Sequence, residues 1–168
     1  MLNMGRDPEA GRNWEGFGAD PFLTGVSSAL TIEGIQSAGV IACAKHYVGN
    51  EQETFRSGGG RGENSTSESS DISDRTLHEV YAWPFGESVK AGVGSIMCSY
   101  NRINGTYACE NSKTISGLAK EEWDYKGFML SDWGAVEGGL QVSAYSPTSE
   151  SLGQTNRYRY RVLKVDWT

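Results

Sequence analysis

Three short stretches of the sequence carry polar and aromatic side chains of the kinds that bind a sugar and act on a bond to it. They read AKHYVGNE, MCSYN and MLSDW, and the residues that could do chemistry are Lys45, His46, Met97, Tyr100, Asp132 and Trp133. Charged groups fix hydroxyls, while Tyr and Trp rings pack against the C–H faces of a sugar ring. A carboxylate in such a set favours chemistry at a glycosidic bond.

Other kinds of site fit these residues less well. A phosphate-binding loop requires a Walker A pattern, which the glycine-rich stretch SGGGRGENST does not have. A metal centre needs several His or Cys ligands at ligand spacing, whereas this chain has 2 histidines, His46 and His78. A nucleophile elbow of the Gly-x-Ser-x-Gly type does not occur in the sequence. No metal and no other cofactor is therefore expected.

Each candidate residue also has an interpretation without catalysis. An aspartate at the end of a strand, such as Asp132, is often the cap of the helix that follows. Lys45 and His46 could belong to an ion pair that is buried at the base of a loop. Met97 could be a core residue, and Tyr100 could hold a loop by a hydrogen bond. The corresponding positions of these residues, at the ends of three successive strands, favour the functional interpretation.

The residues follow three repeats of a helix and then a strand. Helical patterns and apolar, strand-like runs alternate at residues 20–39, 40–49, 73–92, 93–101, 111–127 and 128–133. In the first helix the apolar residues that recur at helical spacing are Leu23, Val26, Leu30 and Ile35. The second helix is predicted to break at Pro84. This order predicts an α/β fold in which helices cover a parallel sheet, and its carboxyl edge would bring the three strand ends together.

Length and charge limit the class of protein. The chain has 168 residues, a formal net charge of −6 and a pI near 5.0, which fits one globular domain and argues against a nucleic-acid partner. No apolar run approaches the length of a membrane span, and residues 1–16 have no apolar signal-peptide core.

The cysteines and two glycosylation sequons indicate a compartment. Cys98 and Cys109 flank a polar, turn-like segment and are either a disulfide pair or two buried free thiols, which the spacing alone does not decide. Asn64 and Asn104 each begin an Asn-x-Ser/Thr sequon. Together these features favour the secretory pathway. Cys43, in an apolar run, is predicted to be a buried free thiol.

Four blocks of the sequence resemble a known family. They read GRNWEGFGADPFLTG, AKHYVGNEQE, MCSYNRINGTYACENS and GFMLSDWGA. In order and spacing they are similar to glycoside hydrolase family 3, and within it to the secreted fungal β-glucosidases, over about residues 4 to 139. The family's N-acetylglucosaminidase branch has a Lys-His-Phe-Pro-Gly pattern, which KHYVGNEQE lacks. The resemblance implies an N-terminal (β/α)8 barrel of the TIM type and the retaining hydrolysis of terminal β-D-glucosyl residues.

The resemblance also implies roles for particular residues. The aspartate of the Ser-Asp-Trp motif, here Asp132, is the nucleophile. The residues that resemble the lining of the glucose pocket are Arg12, Lys45, His46, Met97, Tyr100 and Trp133. Arg12 and Lys45 are expected to keep Asp132 ionised and to hold sugar hydroxyls.

Two departures from the family pattern lead to further expectations. A full barrel needs about 250 residues, so three helix–strand units at 1–139 predict a partial barrel, with the acid/base glutamate outside this chain. Residues 140–168 diverge from the family, and we expect them to be a poorly ordered tail. The alternative function is an inactive module that binds sugar without turnover.

Overall fold

A computed structural model describes residues 1–57 and 67–136 of the chain. The predicted glycosylation site Asn64, the predicted boundary after residue 139 and the predicted tail at 140–168 lie outside the described residues. No helix in the described part of the chain is both long and apolar enough to cross a membrane.

The strands and helices occur in the order that the sequence predicts. The described residues contain the strands β1 Cys43–Tyr47, β2 Ser69–Ser70, β3 Ser95–Cys98, β4 Arg102–Ile103, β5 Thr106–Tyr107 and β6 Phe128–Ser131. They also contain the helices α1 Pro21–Ser37, α2 Asp74–Thr76 and α3 Trp83–Lys90, the π-helices Leu77–Tyr81 and Lys113–Glu122, and the 3₁₀ helices Pro8–Ala10, Asn13–Glu15 and Ala108–Glu110.

The main sheet is parallel, which confirms the predicted α/β class. Its strand order is β1-β3-β6, so each strand lies beside the next one along the chain that belongs to this sheet. Parallel strands in sequential order, with helices between them, are the arrangement of a (β/α) barrel. A doubly wound sheet instead reverses its strand order part-way.

Helix α1 does not bury the apolar residues whose spacing predicted it. Asp20 caps it by accepting a hydrogen bond from the Leu23 amide at 3.0 Å. Its buried residues are Thr24, Gly25, Ser28 and Ile32, whereas Leu23, Val26, Leu30 and Ile35 are exposed. The Ser28 and Ser88 hydroxyls are 2.7 Å apart, so small residues allow α1 to approach α3 closely. The helix is confirmed, and its apolar residues form a surface instead of core.

The second predicted helix is interrupted at Ala82, between the π-helix Leu77–Tyr81 and α3. Pro84 lies in the first turn of α3. Backbone N–H groups of a first turn have no partner within the helix, so proline, which lacks an N–H, is tolerated there. The prediction of a break at Pro84 is therefore wrong by two residues.

Tyr47 anchors the end of β1 in the core. Its ring is fully buried and meets the Phe85 ring edge-on, with centroids 5.0 Å apart. Its hydroxyl donates to the Thr114 carbonyl at 2.8 Å. The strand that carries the first group of candidate residues is thereby fixed to α3 and to the π-helix Lys113–Glu122.

A small second sheet follows the carboxyl end of β3. Strand β4 pairs parallel to β2 and antiparallel to β5. The β4–β5 hairpin turns at Asn104 and Gly105, whose φ angles of 48° and 87° suit a two-residue turn of the Asn-Gly type. A disulfide joins Cys98 to Cys109 and closes this excursion at its base.

Cys43 is exposed, so the prediction of a buried free thiol is wrong. The strand begins at Cys43, and residues 40–42 of the apolar run precede it. From this exposed first residue the burial of β1 alternates as far as His46, because successive side chains of a strand point to opposite faces.

Candidate functional site

The carboxyl ends of the three parallel strands bring the candidate residues together. Lys45 in β1 lies opposite Met97 in β3, which in turn lies opposite Leu130 in β6. Asp132 follows directly after β6, and its backbone N–H donates to the Cys98 carbonyl at 3.3 Å. Reactive groups of parallel α/β folds collect at this edge of the sheet.

Asp132 presents a buried carboxylate at this edge. The residue is 5% exposed. Its Oδ1 atom accepts a hydrogen bond from the Trp133 backbone N–H at 2.8 Å, and its Oδ2 atom lies 3.4 Å from His46 Nε2. The backbone hydrogen bond fixes the plane of the carboxylate. The His46 ring thus lies directly against the candidate nucleophile.

His46 occupies an irregular position in β1. The pairing with β3 skips it, since Lys45 lies opposite Met97 and Tyr47 opposite Cys98. Such a bulge changes the direction of a side chain and is frequent beside active sites. The Asn3 side chain holds the bulge, because it donates to the His46 carbonyl at 3.0 Å and accepts from the His46 N–H at 3.1 Å.

His46 is uncharged at neutral pH. Burial, with the positive charges of Arg12 and Lys45, lowers the pKa of His46 to about 3. A neutral ring can donate one proton, and the contact with Asp132 places it on Nε2. The Nδ1 atom is buried without a hydrogen-bond partner in the described part of the chain. The contact of His46 with Asp132 is thus a neutral donor facing a carboxylate.

Arg12 and Lys45 meet at a glutamate that the sequence motifs did not single out. Arg12 Nε and Nη2 donate to the two carboxylate oxygens of Glu15 at 2.7 and 3.0 Å. Lys45 Nζ donates to Glu15 Oε2 at 2.8 Å. The hydrogen bonds from Arg12, with those from Lys45, lower the pKa of Glu15 to about 2. The shortest ion pairs of Arg12 and Lys45 are thus with Glu15, and the expectation that both cations keep Asp132 ionised stays a prediction.

A chain of charged side chains connects Arg12 to the ring of Tyr100. Arg12 Nη1 lies 3.8 Å from Glu53 Oε1, and Arg56 Nη1 lies 2.9 Å from Glu53 Oε2. The Arg56 guanidinium stacks over the Tyr100 ring, 4.6 Å from its centroid. Burial and the negative charge of Asp132 raise the pKa of Tyr100 to about 12. An alternating row of charges thus surrounds the edge where Asp132 lies.

The two remaining candidates differ in exposure. Met97 is 8% exposed in the central strand, yet it lies outside the apolar cluster that forms the core of the described residues, which fits a pocket role better than its core-packing interpretation. The Trp133 ring is 61% exposed. Its backbone is engaged instead, since its N–H donates to Asp132 and its carbonyl accepts the Tyr100 hydroxyl.

A large cavity lies at the other end of the sheet. It has a volume of about 810 Å³ and includes Gly94 and Gly127, which precede β3 and β6, together with Trp83 and Trp123. We place the candidate site at the carboxyl ends because the buried carboxylate, the cations and the perturbed pKa values are found there.

Comparison with known proteins now gives the family. The model described as "Glycosyl hydrolase family 3 N terminal domain" matches residues 1–152. The chain belongs to glycosyl hydrolase family 3.

The relatives of this family 3 chain are named as β-glucosidases. It is 56% identical over 141 residues to "Beta-glucosidase 1" of Aspergillus aculeatus, which covers 82% of this chain and 16% of that protein. A solved family 3 β-glucosidase from Neurospora crassa has a TM-score of 0.77 at 53% identity, covering 83% of this chain and 17% of that one. The β-glucosidase DesR from Streptomyces venezuelae, solved with D-glucose, has a TM-score of 0.75 at 34% identity, covering 85% and 17%.

These matches confirm the predicted partial barrel. The chain spans about a sixth of the length of the curated family 3 relatives that it matches, 16% of the first of them. Its three parallel strands, in sequential order, correspond to part of the N-terminal barrel domain of this family.

Three residues of the candidate site were not predicted from the sequence: Glu15, Glu53 and Arg56. Glu15 lies three residues after Arg12, and Arg56 lies three residues after Glu53. Opposite charges at this spacing are a signal for a local ion pair. The spacing does not reveal that Lys45, 30 residues away from Glu15, joins the same carboxylate.

Proposed function

We propose that this family 3 chain contributes the nucleophile and part of the glucose pocket of a retaining β-glucosidase. The observation that carries the proposal is the Asp132 carboxylate, which is buried at the carboxyl edge of a parallel sheet beside His46. The names of the relatives support the reaction class, since they are β-glucosidases.

In the proposed mechanism, Asp132 attacks the anomeric carbon of a terminal β-glucosyl residue. A bond forms between a carboxylate oxygen and that carbon while the bond to the aglycone oxygen breaks, and an acid protonates the leaving oxygen. Water then attacks the same carbon, gives a proton to the conjugate base of that acid, and releases glucose and the Asp132 carboxylate. The two inversions together retain the configuration.

The other residues are proposed to bind the terminal glucose. Arg12 and Lys45 are fixed donors for sugar hydroxyls, because their charges are already held by Glu15. His46, being neutral, lies against the nucleophile without adding a third positive charge to those of Arg12 and Lys45. Tyr100 stays protonated up to about pH 12, and because its hydroxyl already donates to the Trp133 carbonyl, its oxygen is proposed to accept from a sugar hydroxyl. Met97 and Trp133 are proposed as apolar contacts at the pocket.

The acid/base carboxyl is a separate requirement of the mechanism. A general acid needs a pKa near the working pH, and a retaining pair of carboxyls lies about 5 to 5.5 Å apart. Glu15 does not suit this role, because its pKa is lowered to about 2. The expectation that a glutamate outside this chain supplies the acid stays a prediction.

We also propose that the protein is extracellular. The Cys98–Cys109 disulfide and the Asn104 sequon, which lies at the exposed tip of the β4–β5 hairpin, support this location. Both Asn104 and Asn64 are proposed as glycosylation sites.

The test is hydrolysis of an aryl β-glucoside with a nitrophenyl leaving group, which needs little protonation. Asp132→Asn is expected to lower kcat by about 10⁴-fold or more, as the loss of a nucleophile does. Asp124→Asn is the matched control, because Asp124 is an exposed aspartate paired with Lys126. Activity that survives Asp132→Asn would contradict the proposal. Glucose binding without any turnover would instead support the sugar-binding module.

A further inference from the structure

Glu15 joins two parts of the chain that are distant in sequence. It lies in the 3₁₀ helix Asn13–Glu15, directly after Arg12, whereas Lys45 lies in β1. Both cations donate to its carboxylate at 2.7 to 3.0 Å. Bidentate, charge-assisted hydrogen bonds of this kind fix direction as well as distance. Arg12 makes the bidentate pair, and the single charge-assisted bond from Lys45 Nζ ties the end of that flexible side chain to the same carboxylate.

The ion pairs of Glu15 with Arg12 and Lys45 are present over the whole range of working pH. Since the pKa of Glu15 is about 2, its carboxylate stays ionised in any mildly acidic or neutral medium. The hydrogen bond to Glu15 also holds the pKa of Arg12 above its usual value. The three groups therefore form a fixed charged unit and not a titrating one.

Without this carboxylate the two cations would have to find other anions. Glu53 is already paired with Arg56 at 2.9 Å, and its distance to Arg12 is 3.8 Å. Among the residues that the structure describes, Asp132 is the buried carboxylate at this edge, and its charge already acts on Arg12. A direct ion pair of either cation with Asp132 would occupy the carboxylate oxygen that has to attack the sugar.

We propose that Glu15 is a positioning residue, which fixes Arg12 and Lys45 for sugar hydroxyls and keeps both cations off the Asp132 carboxylate. This role rests on the proposed function, since it serves the pocket for the terminal glucose. Glu15 acts through the two cations and does not itself touch the reacting atoms.

Glu15→Gln tests the role because it keeps the shape of the side chain and removes its charge. The inhibition constant of glucose and the KM of an aryl β-glucoside are expected to rise about tenfold or more, as when charge-assisted contacts are lost. Glu15→Asp, which keeps the charge on a shorter stem, is expected to recover part of the affinity. Glu79→Gln is the matched control, because Glu79 forms an exposed ion pair with Arg75 at 3.0 Å.

A double-variant cycle separates positioning from a general loss of structure. If Glu15 acts through Lys45, the effects of Glu15→Gln and Lys45→Met do not multiply, and the double variant binds glucose at least about threefold better than their product. Effects that multiply, or a Glu15→Gln protein that binds glucose as tightly as the control, would overturn the inference.

A structural readout keeps this test independent of the proposed function. In a crystal structure of Glu15→Gln, Lys45 Nζ is expected to leave residue 15 and turn toward Asp132 or solvent. Unchanged positions of Arg12 and Lys45 would overturn the inference even in an active enzyme. Failure of the unmodified protein to bind or cleave glucosides would instead refute the proposed function, and the crystal structure would still decide whether Glu15 holds the cations.

Discussion

Removal of the Cys98–Cys109 disulfide tests how the strand end that precedes Tyr100 is held. Cys98 is the last residue of β3, and it lies opposite Tyr47 on one side and Ser131 on the other. The sequence separation of the two cysteines is 11 residues. Closing a loop of this length removes chain entropy from the unfolded state worth about 3 kcal/mol at 25 °C. The double variant Cys98→Ala/Cys109→Ala should lose a free energy of unfolding of this size.

The measurement is urea unfolding followed by tryptophan fluorescence, with and without a reductant. Cys43→Ala is the control, because Cys43 is free and exposed. Reductant should destabilise the unmodified protein and the Cys43→Ala variant by about the same 3 kcal/mol, and should leave the double variant unchanged. A loss below about 1 kcal/mol would refute the view that this crosslink stabilises the base of the Tyr100 loop.

Two further predictions concern the strand end and the histidines. Tyr47→Phe leaves the buried Thr114 carbonyl without its donor, so the free energy of unfolding should fall by about 1–3 kcal/mol in a urea titration. The two histidines should give opposite pH dependences of the melting temperature. Burial lowers the pKa of His46 to about 3, so its contribution is complete above the unfolded value near 6.5 and is lost as the pH falls toward 3. Hydrogen bonds to the Asp74 backbone and Glu122 raise the pKa of His78, so its contribution is complete below about 6.5 and is lost as the pH rises through the raised pKa. His46→Gln and His78→Gln should each remove their own pH dependence, and a profile unchanged by either would contradict the assignment.

The strands and their polar ends could be predicted because both follow from local pattern. Apolar runs bounded by turn residues predict buried strands, and the parallel order then brings Lys45, Tyr100 and Asp132 to one edge. The Asn104–Gly105 dipeptide similarly has the composition of a hairpin turn, and the structure places one there.

The packing of α1 could not be predicted from its apolar spacing. Periodicity shows which residues share a face of a helix, but not which face meets the rest of the chain. Here the side with Gly25 and Ser28 allows close approach to α3, and the apolar side that includes Leu30 is exposed. An exposed apolar surface of this kind is usually a contact surface.

The ion pairs of the site could not be predicted either, because they depend on which side chains meet across loops. The family resemblance implies that Arg12 and Lys45 keep Asp132 ionised and hold sugar hydroxyls. In the folded chain Glu15 is their nearest anion, and the His46 ring lies against Asp132 instead. The Asp132 carboxylate is thus left without a direct ion pair to Arg12 or Lys45, which is the basis of the role proposed for Glu15.

The central claim is that Asp132 becomes covalently bonded to glucose during the reaction. A 2-deoxy-2-fluoro-β-glucoside with a dinitrophenyl leaving group tests this directly, since the fluorine slows hydrolysis of the intermediate and the leaving group departs without an acid. Mass spectrometry of the digested protein should find the fluoroglucosyl group on the peptide that contains Asp132, and no label in Asp132→Asn. A label on another residue, or an unlabelled protein that still releases dinitrophenol in repeated turnovers, would contradict the account.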